Sequence, residues 1–281
     1  MARKSINVCI LLPSDLTKRL YAARYNQFME TFLYLARIGY TGAIKPDVES
    51  LRGLHLAHMF HVPFENLDIG LGRPIRLTEE ALWNKLVLQK RGGFCYELNG
   101  LFARLLKQLG FEVTYLNARV YNRQGQVGID FDHLALLVQI PDQSGRWLVD
   151  VGFGDSFNEP LDFEKLDEQV QRLRSYRVDP VPNGFAVWQK NYAGSWQRQY
   201  FFDIQPHKFP EEYESACLYH QTSPRSSFTR ASIISRATPE GRVSLEDGRL
   251  ILTRHGQRTE QSIADKTEYD ALLKQYFDLT L

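Results

Sequence analysis

Cysteine is scarce in this chain: three residues, Cys9, Cys95 and Cys217, lie far apart in 281 and form no Cys-x-x-Cys pair. An odd, sparse count speaks against a disulfide framework and for a reducing compartment. Long apolar runs are missing too. The run Val8-Cys9-Ile10-Leu11-Leu12 stops at Pro13, too short for a signal-peptide core, and no segment approaches the roughly 18 apolar residues of a membrane span. Neither sign of charge dominates, with 34 Lys and Arg against 33 Asp and Glu, so nothing favours nucleic acid or an anionic membrane as partner. Internal repeats and low-complexity tracts are absent. The expectation is a soluble, cytoplasmic protein.

What is present suffices for a large core: 43% of residues are hydrophobic, and the 12% that are aromatic suit a ring-lined pocket as well as packing. Residues 1–27 are locally basic and weakly patterned, and are read as an N-terminal extension. Helical spacing begins near Phe28 and recurs over 48–60 and 79–90, so residues 28–110 read as a helical bundle. From Phe111 the period changes to two. Alternation over 113–121, an apolar strand over 133–140, a return over 146–151 and further strands over 184–188 and 197–203 make 111–206 a mainly antiparallel sheet or small barrel. Residues 207–281 hold a charged helical connector near 207–219, short strands over 232–236, 241–245 and 249–254, an Asp247-Gly248 hairpin and a final helix over 268–278.

The stretch Arg91-Gly92-Gly93-Phe94-Cys95-Tyr96-Glu97-Leu98-Asn99 carries the most chemistry. Leu98, Leu101, Phe102, Leu105, Leu106 and Leu109 mark one face of a helix closed by Gly110, which places Cys95 at the helix N-terminus. Unpaired N–H groups and the positive dipole end there are expected to lower a thiol pKa from about 8.5 toward neutrality. A small apolar cysteine that merely packs is the competing reading.

A nucleophilic thiol needs a base and a group to orient that base. His133 opens an otherwise apolar strand, and Asp150 is embedded in the next one, where a lone buried carboxylate would cost several kcal/mol. If Ala135 opposes Asp150, His133 is its diagonal neighbour, about 7–8 Å away at the backbone and within side-chain reach. A tight turn centred on Gln143 and Ser144 would instead pair Leu137 with Asp150 and put His133 too far away. The loop must therefore be asymmetric or carry a bulge. Glu65 and Arg91 are read as a structural ion pair. His55, His58 and His61, at spacing three, suggest a metal face. Their outer positions diverge around a helix and no HExxH is present, so no metal is expected and the three are read as partly exposed or capping.

Four ordered segments together resemble the arylamine N-acetyltransferases: Val62-Pro63-Phe64-Glu65-Asn66-Leu67; Arg91 to Asn99; Asp132-His133 before an apolar strand; and Val149-Asp150-Val151-Gly152-Phe153-Gly154. The later stretch 237–242 fits as well, and the resemblance covers roughly residues 28–281. It implies an α+β, three-domain architecture: an N-terminal helical bundle, a central antiparallel β-barrel and a C-terminal α/β lid around a cysteine-protease-like Cys-His-Asp core. It places a catalytic triad on Cys95, His133 and Asp150. It also implies acetyl-CoA as cosubstrate in a ping-pong cycle, with no permanently bound cofactor, and an arylamine or arylhydrazine acceptor as in xenobiotic metabolism. Phe64 and Phe153 fall where the family lines its acceptor pocket. A homo-oligomer is left open. A same-triad thiol hydrolase, a biosynthetic amide-forming acyltransferase and a catalytically silent binding protein are the alternatives.

Overall fold

Apolar spacing and capping residues set the helices in the first hundred residues. The computed structural model describes residues 28–281. The extension 1–27, with Cys9, lies outside the described residues. Helix α1 covers 28–37. Helix α2, Val48–His61, starts at Asp47, whose carboxylate accepts the Ser50 N–H. A two-residue strand β1, Phe64–Glu65, and a single turn α3, Leu67–Gly70, follow. Helix α4, Glu79–Trp83, is capped by the Thr78 hydroxyl and widens into a π-helical stretch, Asn84–Leu88. The amphipathic α5, Cys95–Gln108, buries the expected stripe, and Gly110 takes the left-handed conformation just beyond it, with φ +92°.

The sheet that follows is entirely antiparallel. It comprises β2 Glu112–Val120, β3 His133–Gln139, β4 Arg146–Val149, β5 Leu161–Asp162, β6 Gln169–Val170, β7 Ser175–Val181, β8 Gly184–Lys190 and β9 Trp196–Phe202, in the order β5-β4-β3-β2-β9-β8-β7-β6. The two edges approach each other, because the Gln169 side chain accepts the Asp162 N–H and donates to the Asp162 carbonyl, each at 2.8 Å. The sheet is therefore barrel-like and nearly closed. One of its faces joins the helical core: Leu134, Leu136, Val138, Val149 and Val151 pack in the same cluster as Leu98, Leu101 and Phe102. The other face has its own core around Leu116, Ala135, Phe157, Tyr200 and Phe202.

Helix α6, Glu214–Thr222, leads to a second sheet in which β1 pairs with β10 Ile233–Thr238, followed by β11 Gly241–Glu246, β12 Arg249–Arg254 and β13 Gln257–Ser262. Helix α7, Lys266–Phe277, covers this sheet through Leu272, Leu273 and Phe277. Glu246 pairs with Arg249 across Asp247 and Gly248, both at positive φ, as a two-residue hairpin requires. Among the described residues no helix is long and apolar enough to cross a membrane.

Several elements differ from the sequence expectation. The connector helix starts only at Glu214, because hydrogen-bonded turns from Lys208 to Tyr213 precede it. Strand β7 was not expected: it includes Pro180 and lacks clean alternation. Strand β13 was not expected either, because all six of its residues are exposed and none carries an apolar signal.

Candidate functional site

Cys95 is the first residue of α5, and Phe94 is its N-cap. The preceding glycines lie against β1: Glu65 N–H donates to the Gly93 carbonyl, and a Cβ on Gly92 would stand 2.1 Å from the Pro63 carbonyl oxygen. Glu97 then accepts the Phe94 N–H through Oε2 at 3.1 Å and the Lys85 ammonium through Oε1 at 2.8 Å. The start of the helix is thus held from both sides. The thiol's acidity departs from expectation. Burial pushes the Cys95 thiol well above its ordinary value, only partly offset by a bond from the Leu134 backbone, and Asp150 and Asp132 add to the rise. Desolvation is the largest contribution to that rise.

The hairpin geometry resolves the register question. Gln139 pairs with Arg146 and Leu136 with Val149, with no bulge. The loop comprises 140–145, one residue longer than the Pro141-to-Gly145 turn, and Asp142 and Gly145 take left-handed conformations to close it. One further step in this register sets Asp150 opposite Ala135, which makes His133 its diagonal neighbour. The side chains meet: His133 Nε2 lies 2.8 Å from Asp150 Oδ2, with both residues buried.

Asp150 is held on every side. Its Oδ1 accepts from Asn99 Nδ2 at 2.8 Å and from the Gly152 N–H at 2.9 Å. Its own N–H donates to His55 Nε2 at 3.3 Å. Burial alone would raise the Asp150 carboxyl, but His133, Asn99 and Gly152 outweigh it and hold the group below its usual range. Asn99 also donates to the Leu134 carbonyl at 2.6 Å and accepts the Val151 N–H at 2.9 Å, so one amide ties α5 to β3 and to the segment just after β4. Sequence reasoning gave Asn99 no role, although its position four residues after Cys95 puts it on the same helix face. Gly152 is required here, since a Cβ would stand 2.8 Å from Cys95 Cα and from Asn99 Nδ2.

Cys95 and His133 open on one cavity of about 500 Å³, lined also by Phe64, Phe153, Phe228, Asp132 and His220. The Phe153 ring stands edge-on to the His133 imidazole at 5.2 Å, and Phe64 lies 6.1 Å from Phe228. Phe228, Asp132 and His220 were not singled out from the sequence as lining the cavity.

Two other readings change. Glu65 and Arg91 do pair, at 2.7 Å, but inside a larger buried network in which Arg91 also meets Asp68 at 3.0 Å and Lys85 meets Asp68 and Glu97 at 2.8 Å each. Of the three spaced histidines, only His61 is exposed. His55 and His58 are fully buried because α2 packs directly on α5 and on the segment after β4. His55 bonds the Asn158 carbonyl at 2.8 Å and stacks on Phe157, and burial pushes its pKa down to about 4, so it is neutral. His58 faces the Tyr34 hydroxyl at 3.2 Å. Among the described residues no cluster of His, Cys, Asp and Glu could hold a metal ion.

A buried thiol and imidazole on one aromatic cavity, the imidazole backed by a buried carboxylate, suit acyl transfer, and comparison with known proteins gives the same class: the N-acetyltransferase family model matches residues 47–281. The arylamine N-acetyltransferase of Mycolicibacterium smegmatis is 37% identical over 79% of this chain and 82% of its own length. That of Escherichia coli K12 is 32% identical over 88% and 87%. The Mycobacterium marinum arylamine N-acetyltransferase, solved in complex with CoA, superposes with a TM-score of 0.83 at 32% identity, covering 88% of this chain and 92% of that one. The chain belongs to the arylamine N-acetyltransferase family.

Proposed function

We propose that this enzyme moves an acetyl group from acetyl-CoA to an arylamine or arylhydrazine by way of an acetyl-Cys95 intermediate, with His133 as base and Asp150 as its orienting partner. The observation that carries the reading is the 2.8 Å His133–Asp150 pair on the cavity that Cys95 also lines. Asp150 engages Nε2, which leaves Nδ1 of His133 to exchange a proton with the thiol. A lone thiolate is disfavoured by burial, whereas transfer of the proton from sulfur to imidazole leaves the cavity's net charge unchanged.

The thiolate attacks the thioester carbonyl, and backbone N–H groups at the start of α5 receive the developing oxyanion. The bond from the carbonyl carbon to the CoA sulfur breaks, and His133 returns its proton to the leaving thiolate. One thioester replaces another, so this half-reaction is nearly balanced. A neutral amine then attacks acetyl-Cys95, His133 takes the amine proton, and the carbon–sulfur bond to Cys95 breaks to release the amide. Phe64 and Phe153 shield the acyl-enzyme from water. In this reading residues 28–110, 111–206 and 207–281 act as bundle, barrel and lid.

Intact-mass spectrometry after mixing with acetyl-CoA tests this. The wild-type chain should gain one acetyl group and Cys95→Ser none. An adduct that survives on Cys95→Ser refutes the assignment, and CoA release at equal rates with and without amine would identify a hydrolase instead.

A further inference from the structure

A second carboxylate–imidazole pair lies on the wall of the same cavity and takes no part in the steps above. Asp132, the residue before His133, contributes one side, and His220 of α6 the other, with Nε2 3.1 Å from Asp132 Oδ1. The two atoms are close but off the angle of a hydrogen bond, and Nε2 has no other partner, although His220 is only 6% exposed. A buried ring nitrogen without a partner, on a residue that lines a cavity, is costly unless a ligand satisfies it.

The surroundings suit one tautomer. Ser226 Oγ accepts the Phe228 N–H at 3.2 Å and lies 3.0 Å from His220 Nδ1. The Ser226 hydroxyl can donate its proton to Nδ1. In that arrangement Nε2–H is the donor. On the other side, Asp132 Oδ2 accepts the Val120 N–H at 3.1 Å. Oδ1 keeps free acceptor capacity, and among the described residues no Lys or Arg forms an ion pair with Asp132. The other cations on the cavity are already matched, Arg242 by Asp155 at 3.1 Å and Arg258 by Glu260 at 2.8 Å. The wall near the thiol therefore presents one acceptor with negative charge beside one N–H donor, between the rings of Phe228 and Tyr96.

We propose that Asp132 and His220 form a substituent-reading subsite for the acceptor, favouring arylamines whose ring carries a primary amide and disfavouring those whose ring carries a carboxylate. The amide N–H meets Asp132 Oδ1 and its carbonyl oxygen meets His220 Nε2–H. A carboxylate at that place meets the Asp132 charge with no free cation to offset it. The inference rests on the reading of Cys95 as the acetyl carrier.

The test uses the full chain, acetyl-CoA and two acceptors that differ only in this group, 4-aminobenzamide and 4-aminobenzoate, with the acetylated products quantified by chromatography. The amide withdraws more electron density from its ring than the carboxylate does, so intrinsic nucleophilicity opposes the expected preference. Wild type should favour the benzamide by about tenfold in kcat/KM, chiefly through KM. Asp132→Asn should narrow the ratio by raising the benzoate rate, and His220→Phe should narrow it by raising the benzamide KM. A wild-type ratio at or below one overturns the subsite whether or not the variants fold, and so does an Asp132→Asn variant that acetylates the benzoate no faster. The acetyl adduct, measured on the same samples, separates this failure from that of the carrier reading: its absence from the wild type sinks both.

Discussion

Replacing Asn99 should show how much of the site depends on one amide. In Asn99→Ala three hydrogen bonds vanish, of 2.6, 2.8 and 2.9 Å, to the Leu134 carbonyl, Asp150 Oδ1 and the Val151 N–H. All lie in the interior, where a polar group left without a partner costs about 1–3 kcal/mol, and more when it is charged. Asp150 keeps the Gly152 N–H and His133, so its loss is partial. Allowing for non-additivity among neighbours, unfolding free energy should fall by about 3–5 kcal/mol. Asn99→Asp is the sharper comparison, because it has nearly the same shape and keeps an acceptor for Val151. It also sets a carboxylate where the donor to Asp150 stood. If Asn99 matters as a donor, this variant is strongly destabilised at pH 7 and partly recovers near pH 5 as the new carboxyl takes up a proton and donates it. Denaturant unfolding at both pH values, alongside the rate of Cys95 alkylation, measures this. A loss below about 1 kcal/mol in Asn99→Ala, or an Asn99→Asp variant as stable as wild type at pH 7, would show that the amide only fills space.

Asp150→Asn should slow alkylation of Cys95 by about a hundredfold or more, because the imidazole is held in the wrong tautomer; a rate near that of wild type removes Asp150 from the proposed mechanism. Burial raises the Glu97 carboxyl to about 7, so the folded chain holds its proton more tightly than the unfolded one, and the stability this contributes is lost as pH rises from about 4.5 through 7. Glu97→Gln should flatten that slope in denaturation midpoints, and an unchanged slope refutes it. His55 has the opposite sign: its pKa, lowered to about 4 by burial, makes stability fall as pH drops from about 6.5 toward 4. His55→Gln should weaken that acid loss, and an identical acid limb counts against a neutral buried imidazole.

What the sequence made legible was mostly local. The stripe from Leu98 to Leu109 needs only helical period, and the Asp247-Gly248 hairpin needs only two residues that accept positive φ. His133 and Asp150 were within reach because both interrupt apolar strands in one hairpin. Even there, pairing depended on whether Ile140 joined the strand or the loop, which apolar character alone does not decide. His55 escaped because it bonds Asp150 across 95 positions of chain, and spacing along α2 says nothing of what that helix packs on. His220 escaped for the same reason, as its partner Asp132 lies on a segment of different period. Edge strands such as β13 bury no side chains and so leave no alternation to read.

The thiol's acidity is the point at which local reasoning pointed the wrong way, and the reason bears on how the site works. A helix N-terminus favours an anion through partial charges, typically by 0.3–1 kcal/mol at the surface. Complete burial penalises a lone anion by several kcal/mol, and Asp150 and Asp132 oppose a thiolate further. The free thiol is therefore the resting form unless a positive charge appears with the thiolate. Of the neighbouring imidazoles, His55 is held neutral, with both ring nitrogens engaged, and His220 is turned toward Asp132. His133 alone is backed at hydrogen-bond distance by a carboxylate that is itself held by Asn99 and Gly152. In the proposed mechanism, nucleophilicity at Cys95 is therefore conditional on His133 and Asp150 together. If so, Cys95 in an Asp150→Asn variant should regain alkylation only at alkaline pH, where the thiol ionises without the imidazole, and a neutral-pH rate independent of residue 150 would contradict the coupling.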